Sequence, residues 1–138
     1  RKRLDMIIEK KYHFYAAHRN KEAGIKCGRI HGHTYDVVVH IKPKEIVNGI
    51  GILFCDIDSK VEKIIKEYDH YLILNENDSL CALLELENEP FIKLPFDTSA
   101  ENMAVWLFTR IKNETELPIV KIEIAETKSS NIIYEPKN

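Results

Sequence analysis

The sequence predicts an α+β domain, an antiparallel sheet with two helices packed on one face, in a ββααββ-like order. Three observations carry this reading. Long alternations of apolar and polar residues near both ends of the chain demand strands, because a strand turns successive side chains to opposite faces. Two stretches between them repeat apolar residues at helical spacing, so each buries one stripe. A chain of 138 residues also suits a single domain, residues 1–138, with a serviceable core.

The first strand is read over residues 5–18. Met6, Ile8, Tyr12, Phe14, Ala16 and His18 share a face broken only by Lys10, and His13 points away. The second runs over 31–42, with His31, His33, Tyr35, Val37, Val39 and Ile41 inward and Thr34, Asp36, Val38, His40 and Lys42 outward. Ile50 to Cys55 reads as a short buried strand. A helix follows from the capping-box signature Ser59-Lys-Val-Glu62, with Val61, Ile64, Ile65 and Tyr68 as its stripe. Residues 76–97 form a long irregular stretch holding a short helix, Leu80 to Leu86, and an edge strand ending at Pro95. The second main helix opens on Thr98-Ser-Ala-Glu101 and buries Met103, Trp106, Leu107 and Ile111, a stripe that reads as core and not as a cofactor box. In the closing strands Val120, Ile122, Ile124 and Glu126 share one face, and Lys121 and Glu123 the other.

Composition removes several function classes. With 44% hydrophobic and 30% charged residues the chain is an ordinary soluble globular protein. A net charge of −2 and no basic stripe with interleaved aromatics exclude a nucleic-acid footprint. No apolar run nears the roughly 18 residues that cross a bilayer. Arg1-Lys2-Arg3 leads straight into a mixed strand pattern, unlike a signal peptide, so a cytoplasmic protein is expected. Three cysteines, an odd number without disulfide-like spacing, agree with a reducing compartment. Cys55 and Cys81 lie in apolar segments and read as small core residues. Cys27 differs, because its Gly-containing polar loop sets it between Lys26 and Arg29, a setting for a reactive thiol.

The chemistry concentrates in Cys27-Gly-Arg-Ile-His31-Gly-His33. Strand alternation turns His31 and His33 to one face, and His18 ends the inward face of the preceding strand. Three imidazoles suit Zn²⁺ and leave one coordination position open, the pattern of a catalytic site. The bland alternative, a hydrogen-bonded core histidine, stands for each taken singly. His13 and His40 point outward and read as bystanders. Cys27 becomes a candidate acid, base or nucleophile beside the metal. Glu126 ends an apolar strand face. It is either a solvated strand end or a buried carboxylate that accepts two N–H bonds from a ligand such as an aminopyrimidinone.

Five ordered segments then gather into a resemblance. They are Phe14-Tyr-Ala-Ala-His18, Cys27-Gly-Arg-Ile-His31-Gly-His33-Thr-Tyr35, Tyr68-Asp69-His70 with Leu74-Asn75, Ser99-Ala-Glu101-Asn102, and Ala125-Glu126-Thr127. Together they resemble the 6-pyruvoyltetrahydropterin synthase / 6-carboxytetrahydropterin synthase family across nearly the whole domain. The resemblance implies the tunnelling fold, in which three subunits join sheet edges into a barrel and two trimers stack as a homohexamer. It implies zinc on His18, His31 and His33, proton transfer by Cys27, Asp69 and His70, and Glu126 as the anchor of the pterin ring. Ser99 and Glu101 would approach the pterin from a neighbouring subunit. Read without the resemblance, Asp69-His70 is a helix C-terminal cap, with the histidine favoured by the helix dipole.

The substrate so implied is 7,8-dihydroneopterin triphosphate. The Cys-x-x-x-His-Gly-His spacing looks like the 6-carboxy branch, which releases acetaldehyde and triphosphate and feeds deazapurine synthesis for modified tRNA bases such as queuosine. The alternative within the family is 6-pyruvoyl synthesis, in which triphosphate leaves without carbon–carbon cleavage. An alternative of another class is a non-catalytic, zinc-stabilised oligomerisation module, for which a loop thiol between basic residues has no use. A folate-linked branch places a glutamate in or near the motif, and Gly28-Arg29-Ile30 supplies none.

Overall fold

Alternation organises the first half of the chain. In the computed structural model, which describes residues 5–137, β1 (Ile8–His18) and β2 (His31–Ile41) run antiparallel along their whole length. Ile8 faces Ile41 at one end and His18 faces His31 at the other. Tyr12, Phe14 and Ala16 of β1 and Tyr35, Val37, Val39 and Ile41 of β2 are buried on one face, as their parity requires. The rings of Phe14 and Tyr35 stack at 4.7 Å directly below the paired histidines.

On the far side of β2, β5 (Ile119–Thr127) and β6 (Ser130–Tyr134) continue the antiparallel ladder. β3 (Tyr71–Asn75) and β4 (Ile92–Leu94) extend the sheet beyond β1, and both are added in parallel. The result is an α+β fold with a six-stranded mixed sheet in the order β4-β3-β1-β2-β5-β6. β4 is the edge strand read before Pro95, whereas β3 lacks a sequence signal because it is short and does not alternate for long.

Three helices accompany the sheet: α1 (Phe54–Lys66), the short α2 (Leu80–Leu86) and α3 (Ala100–Thr115). α1 and α3 bury their apolar stripes against the same sheet face, in one cluster that includes Ile57, Val61, Met103, Leu107 and Ile111. α1 starts earlier than the Ser59 signature predicts. Its stripe extends back to Ile57, and Ser59 sits inside the helix, donating its hydroxyl to the Asp56 carbonyl. Ile50–Cys55 is therefore not a strand, and Cys55 is exposed, not core. What precedes α1 is a tight hairpin, in which Val47 and Ile50 exchange backbone bonds around Asn48-Gly49, both with positive φ. That is the Asn-Gly turn that two-residue hairpins favour. Cys81 is buried, as expected.

α3 is capped by Ser99, whose Oγ accepts the Asn102 amide at 3.2 Å, and not by Thr98. Thr98 is fully buried instead. The helix α1 likewise ends before Asp69-His70. The C-cap is Glu67, and His70 adopts a left-handed φ of 66° where the chain turns into β3. No helix among the described residues is long and apolar enough to cross a membrane.

Candidate functional site

One end of the sheet collects the end of β1, the start of β2 and the end of β5. His18, His31 and His33 meet there, and one ring nitrogen from each lies within 4.8 Å of the others. Their orientation is set by the backbone. The Nδ1–H of His18 donates to the Thr98 carbonyl at 2.6 Å, and the Nδ1–H of His31 donates to the Arg29 carbonyl at 2.7 Å. Since a carbonyl only accepts, both protons are assigned to Nδ1 and both Nε2 atoms carry lone pairs. Those two Nε2 atoms face each other at 3.1 Å. Lone pairs so placed repel unless a cation lies between them.

His33 completes the group. Its Nε2 is buried without a hydrogen-bond partner, and the nearest carboxylate oxygen, Glu126 Oε2, stands 3.6 Å away, beyond hydrogen-bond length. Burial holds both His18 and His33 below the usual histidine range, so the rings are neutral donors at pH 7. Nitrogens on a tetrahedral ion with bonds of about 2.0–2.1 Å lie roughly 3.3 Å apart. The donor chemistry, the orphaned nitrogen and the spacing fit a divalent transition metal. Below the group, the Tyr35 hydroxyl lies 3.3 Å from His18 Nδ1, and burial pushes its phenol well above the usual tyrosine range.

A cleft of about 380 Å³ opens beside the histidines, lined among others by His18, His31, Cys27, Ser99, Glu101 and Glu126. Cys27 is exposed on the β1–β2 loop, and its carbonyl accepts the Asn20 amide at 2.8 Å. Gly28 follows because the loop closes on itself there. A Cβ at that position would stand 2.7 Å from the Gly24 carbonyl oxygen. Glu126 sits at an irregularity of the β5–β6 register between Ala125 and Thr127, on the inward face of β5, and lines the cleft. Of the two hydroxyls preceding α3, Ser99 lines the cleft, whereas Thr98 is turned into the core and bonds the Ile73 carbonyl.

Asp69 and His70 lie elsewhere in the same protomer. Asp69 Oδ1 accepts the Tyr15 amide and its Oδ2 meets His70 Nδ1, both at 2.8 Å. The Tyr15 amide, with the His70 ring second, holds the Asp69 carboxyl below its ordinary range. His70 is largely exposed and lines a different pocket with Tyr15, Gly32, His33, Thr34 and Tyr71. Sequence reasoning missed the carbonyls of Thr98 and Arg29, which aim two of the rings. Thr98 is 80 positions from His18, and its contact exists only through packing. It also missed the pairing of Arg19 with Asp78, which ties the residue after His18 to the start of α2.

Against known proteins, the chain matches the family model described as 6-pyruvoyl tetrahydropterin synthase over residues 7–137. It is 34% identical over 137 residues to the 6-carboxy-5,6,7,8-tetrahydropterin synthase of Haemophilus influenzae, covering 93% of this chain and 97% of that one. To the Bacillus subtilis protein of the same name it is 29% identical, covering 94% and 85%. Among solved structures, an uncharacterised Wolinella succinogenes protein superposes with a TM-score of 0.80 at 20% identity, covering 96% of this chain and 98% of that one. The 6-pyruvoyl tetrahydropterin synthase of Caenorhabditis elegans superposes with a TM-score of 0.72 at 21% identity, covering 96% of each. These two likenesses speak to the fold.

Proposed function

The chain belongs to the 6-pyruvoyl tetrahydropterin synthase family of pterin-forming lyases, and from that membership we propose that it converts 7,8-dihydroneopterin triphosphate to 6-carboxy-5,6,7,8-tetrahydropterin, with release of acetaldehyde and triphosphate. The observation that carries the proposal is the single cleft in which a thiol, a carboxylate and two members of a three-histidine group converge. The bacterial relatives named for this activity, matched over nearly the whole chain, favour the carbon–carbon lyase over 6-pyruvoyl synthesis. The place of the product in deazapurine synthesis for modified tRNA bases, the queuosine type, is part of the same proposal.

His18, His31 and His33 are the residues that would hold Zn²⁺, which when bound supplies Lewis acidity to the hydroxyls and carbonyl of the substrate side chain. Glu126 accepts two parallel N–H bonds from the 2-amino group and ring nitrogen of the pterin, which orients the side chain towards Cys27. Ser99 and Glu101, at the mouth of α3, bound the ring on its other flank. Cys27 takes up and returns protons at the carbons being remodelled. Asp69 orients the His70 ring through Nδ1, leaving Nε2 as the exchanging atom. In one protomer His70 lines a pocket that does not include Cys27, so the proposed proton relay runs across a subunit boundary. The sheet ends in β4 and β6, each paired on one side among the described residues, which agrees with edge-to-edge joining into the trimeric barrel of a hexamer. Chemistry that depends on a free thiol fits a cytoplasmic setting.

The test is to incubate the zinc-loaded protein with 7,8-dihydroneopterin triphosphate and identify products by mass spectrometry. Acetaldehyde with 6-carboxytetrahydropterin is expected. A 6-pyruvoyl product would move the chain to the other branch, and unchanged substrate would leave a non-catalytic, metal-stabilised module.

A further inference from the structure

We infer that Tyr15 is a positioning residue for the Asp69–His70 pair, its ring fixing the plane of the imidazole whose Nε2 exchanges protons; the inference rests on the role of His70 in the proposed function. Its own surroundings constrain the His70 ring little. The side chain is 76% exposed, and the backbone holds a left-handed φ of 66°, which a residue other than glycine keeps only where its neighbours impose it. Asp69 tethers one ring atom, its Oδ2 accepting from Nδ1 at 2.8 Å. A single bond at Nδ1 leaves the ring free to tilt about that atom. Aiming Nε2 takes a second contact.

Tyr15 supplies that contact, and its backbone also holds the turn. Its carbonyl accepts the His70 amide at 2.6 Å, and its amide donates to Asp69 Oδ1 at 2.8 Å. Both bonds lie one step before the β1–β3 ladder begins at Ala16 and Tyr71. Outward parity on β1 sets the Tyr15 side chain on the sheet face that the helices leave uncovered, and Tyr15 and His70 line one pocket. There the two rings meet edge to face, with centroids 5.6 Å apart and planes at 66°. That separation falls inside the range of about 4.5–7 Å that aromatic pairs favour. His13, two residues back on the same face, meets the Tyr15 ring in turn at 5.4 Å and 73°. The tyrosine ring is thus held by one neighbour while it holds the other. These contacts belong to the ring, so the hydroxyl is dispensable.

The test compares Tyr15→Phe, which keeps the ring, with Tyr15→Leu, which keeps bulk alone, and Tyr15→Ala. Tyr15 is 47% exposed and its backbone bonds survive each substitution, so the fold should persist. With 7,8-dihydroneopterin triphosphate and the zinc-loaded protein, Tyr15→Ala and Tyr15→Leu should lose about tenfold in kcat, less than the roughly 10²-fold that a 1 Å misplacement can cost. KM and metal content should not change, and Tyr15→Phe should match the parent. In a His70→Ala background Tyr15→Ala should cost nothing further, because residues that act as a unit are not additive. A readout independent of turnover is the ring-current shift of the His70 imidazole C–H resonances in ¹³C-histidine-labelled protein, assigned by their loss in His70→Ala. It should persist in Tyr15→Phe and vanish in Tyr15→Leu and Tyr15→Ala. Parental kcat in Tyr15→Ala overturns the inference, as does an equal further loss in the His70→Ala background or His70 resonances that Tyr15→Ala leaves unmoved. Failure of the proton-transfer role itself would show separately, as parental turnover in His70→Ala.

Discussion

Replacing Glu126 by Gln should weaken pterin binding about tenfold or more and leave the metal in place. The Glu126 side chain is 27% exposed, and its Oε2 lies 3.6 Å from His33 Nε2, too far to be consumed by a hydrogen bond. Both oxygens are thus free to accept from a ligand. The glutamine amide would set an NH₂ against one of the pterin's own N–H groups, so one charge-assisted bond is lost and two donors face each other. Losing such a bond costs roughly 1.5–3 kcal/mol. Partial exposure favours the lower half of that range, about 1.5–2 kcal/mol, or roughly 10- to 30-fold in Kd. Metal retention follows from the same geometry. The charge of Glu126 stabilises the protonated forms of His18 and His33, so removing it does not increase proton competition for the ring nitrogens. Calorimetric titration of zinc-loaded parent and variant with a non-reactive pterin checks the first claim, and elemental analysis the second. Parental affinity in Glu126→Gln would refute the anchoring role. Loss of metal would instead make Glu126 a ligand.

Other outcomes are equally specific. Cys27→Ala should keep metal, fold and pterin affinity but lose about 10²–10⁴-fold in kcat, the usual contribution of a general acid–base group; near-parental kcat would make the exposed thiol a bystander. Gly28→Ala pushes a Cβ to within 2.7 Å of the Gly24 carbonyl, so the loop must shift and displace Cys27. Turnover should then fall by up to about 10²-fold with metal content unchanged, as expected of a misplacement near 1 Å. Asp78→Asn should cost about 1–3 kcal/mol at pH 7. The Arg19 fork holds the Asp78 carboxyl below its ordinary range, so this stability is present above the unfolded carboxyl range near pH 4 and disappears as pH falls through the lower folded value. Thermal melts of parent and variant should therefore converge as pH falls below the unfolded carboxyl range, and a gap independent of pH would mean that the pair contributes through packing alone.

The parts of the molecule visible in the sequence are those in which one residue pattern answers to one physical demand. β1 and β2 are long and half-buried, so their parity alone brings His18, His31 and His33 to one face. Glu126 is legible by the same argument, but the irregularity of register beside it is not, because a register slip depends on what β6 does alongside. The Ser59 and Thr98 capping signatures misdirect for a shared reason. A cap forms where burial of the stripe allows, and Ile57 and Ala100 decide the starts of α1 and α3. The parallel strand β3 is too short to alternate, and what positions it is the Asp69 carboxylate on the Tyr15 amide and the turn at His70. The burial of His40 is not legible, because an outward parity says nothing of a neighbour on the third strand. Only the register that brings Glu123 beside it buries the ring.

Topology explains why chemistry gathers at this end of the sheet. In an antiparallel sheet, alternate strands finish where their neighbours begin, so β1 and β5 deliver their last residues to the point where β2 delivers its first. Strand ends combine two properties that the interior of a strand lacks. The inward parity still buries a side chain, which keeps an imidazole neutral, while the next residue already belongs to a loop open to ligand. His18 shows both halves of this: it is 2% exposed, and Asn20, two positions later, lines the cleft. The stacked pair Phe14 and Tyr35 forms the floor one step further in, and a floor that cannot yield keeps the ring nitrogens at fixed separations. The start of α3 closes the arrangement from the other layer. It lends the Thr98 carbonyl to His18 and turns Ser99 and Glu101 to the cleft, so the helix layer reads out the same register that aligns the histidines.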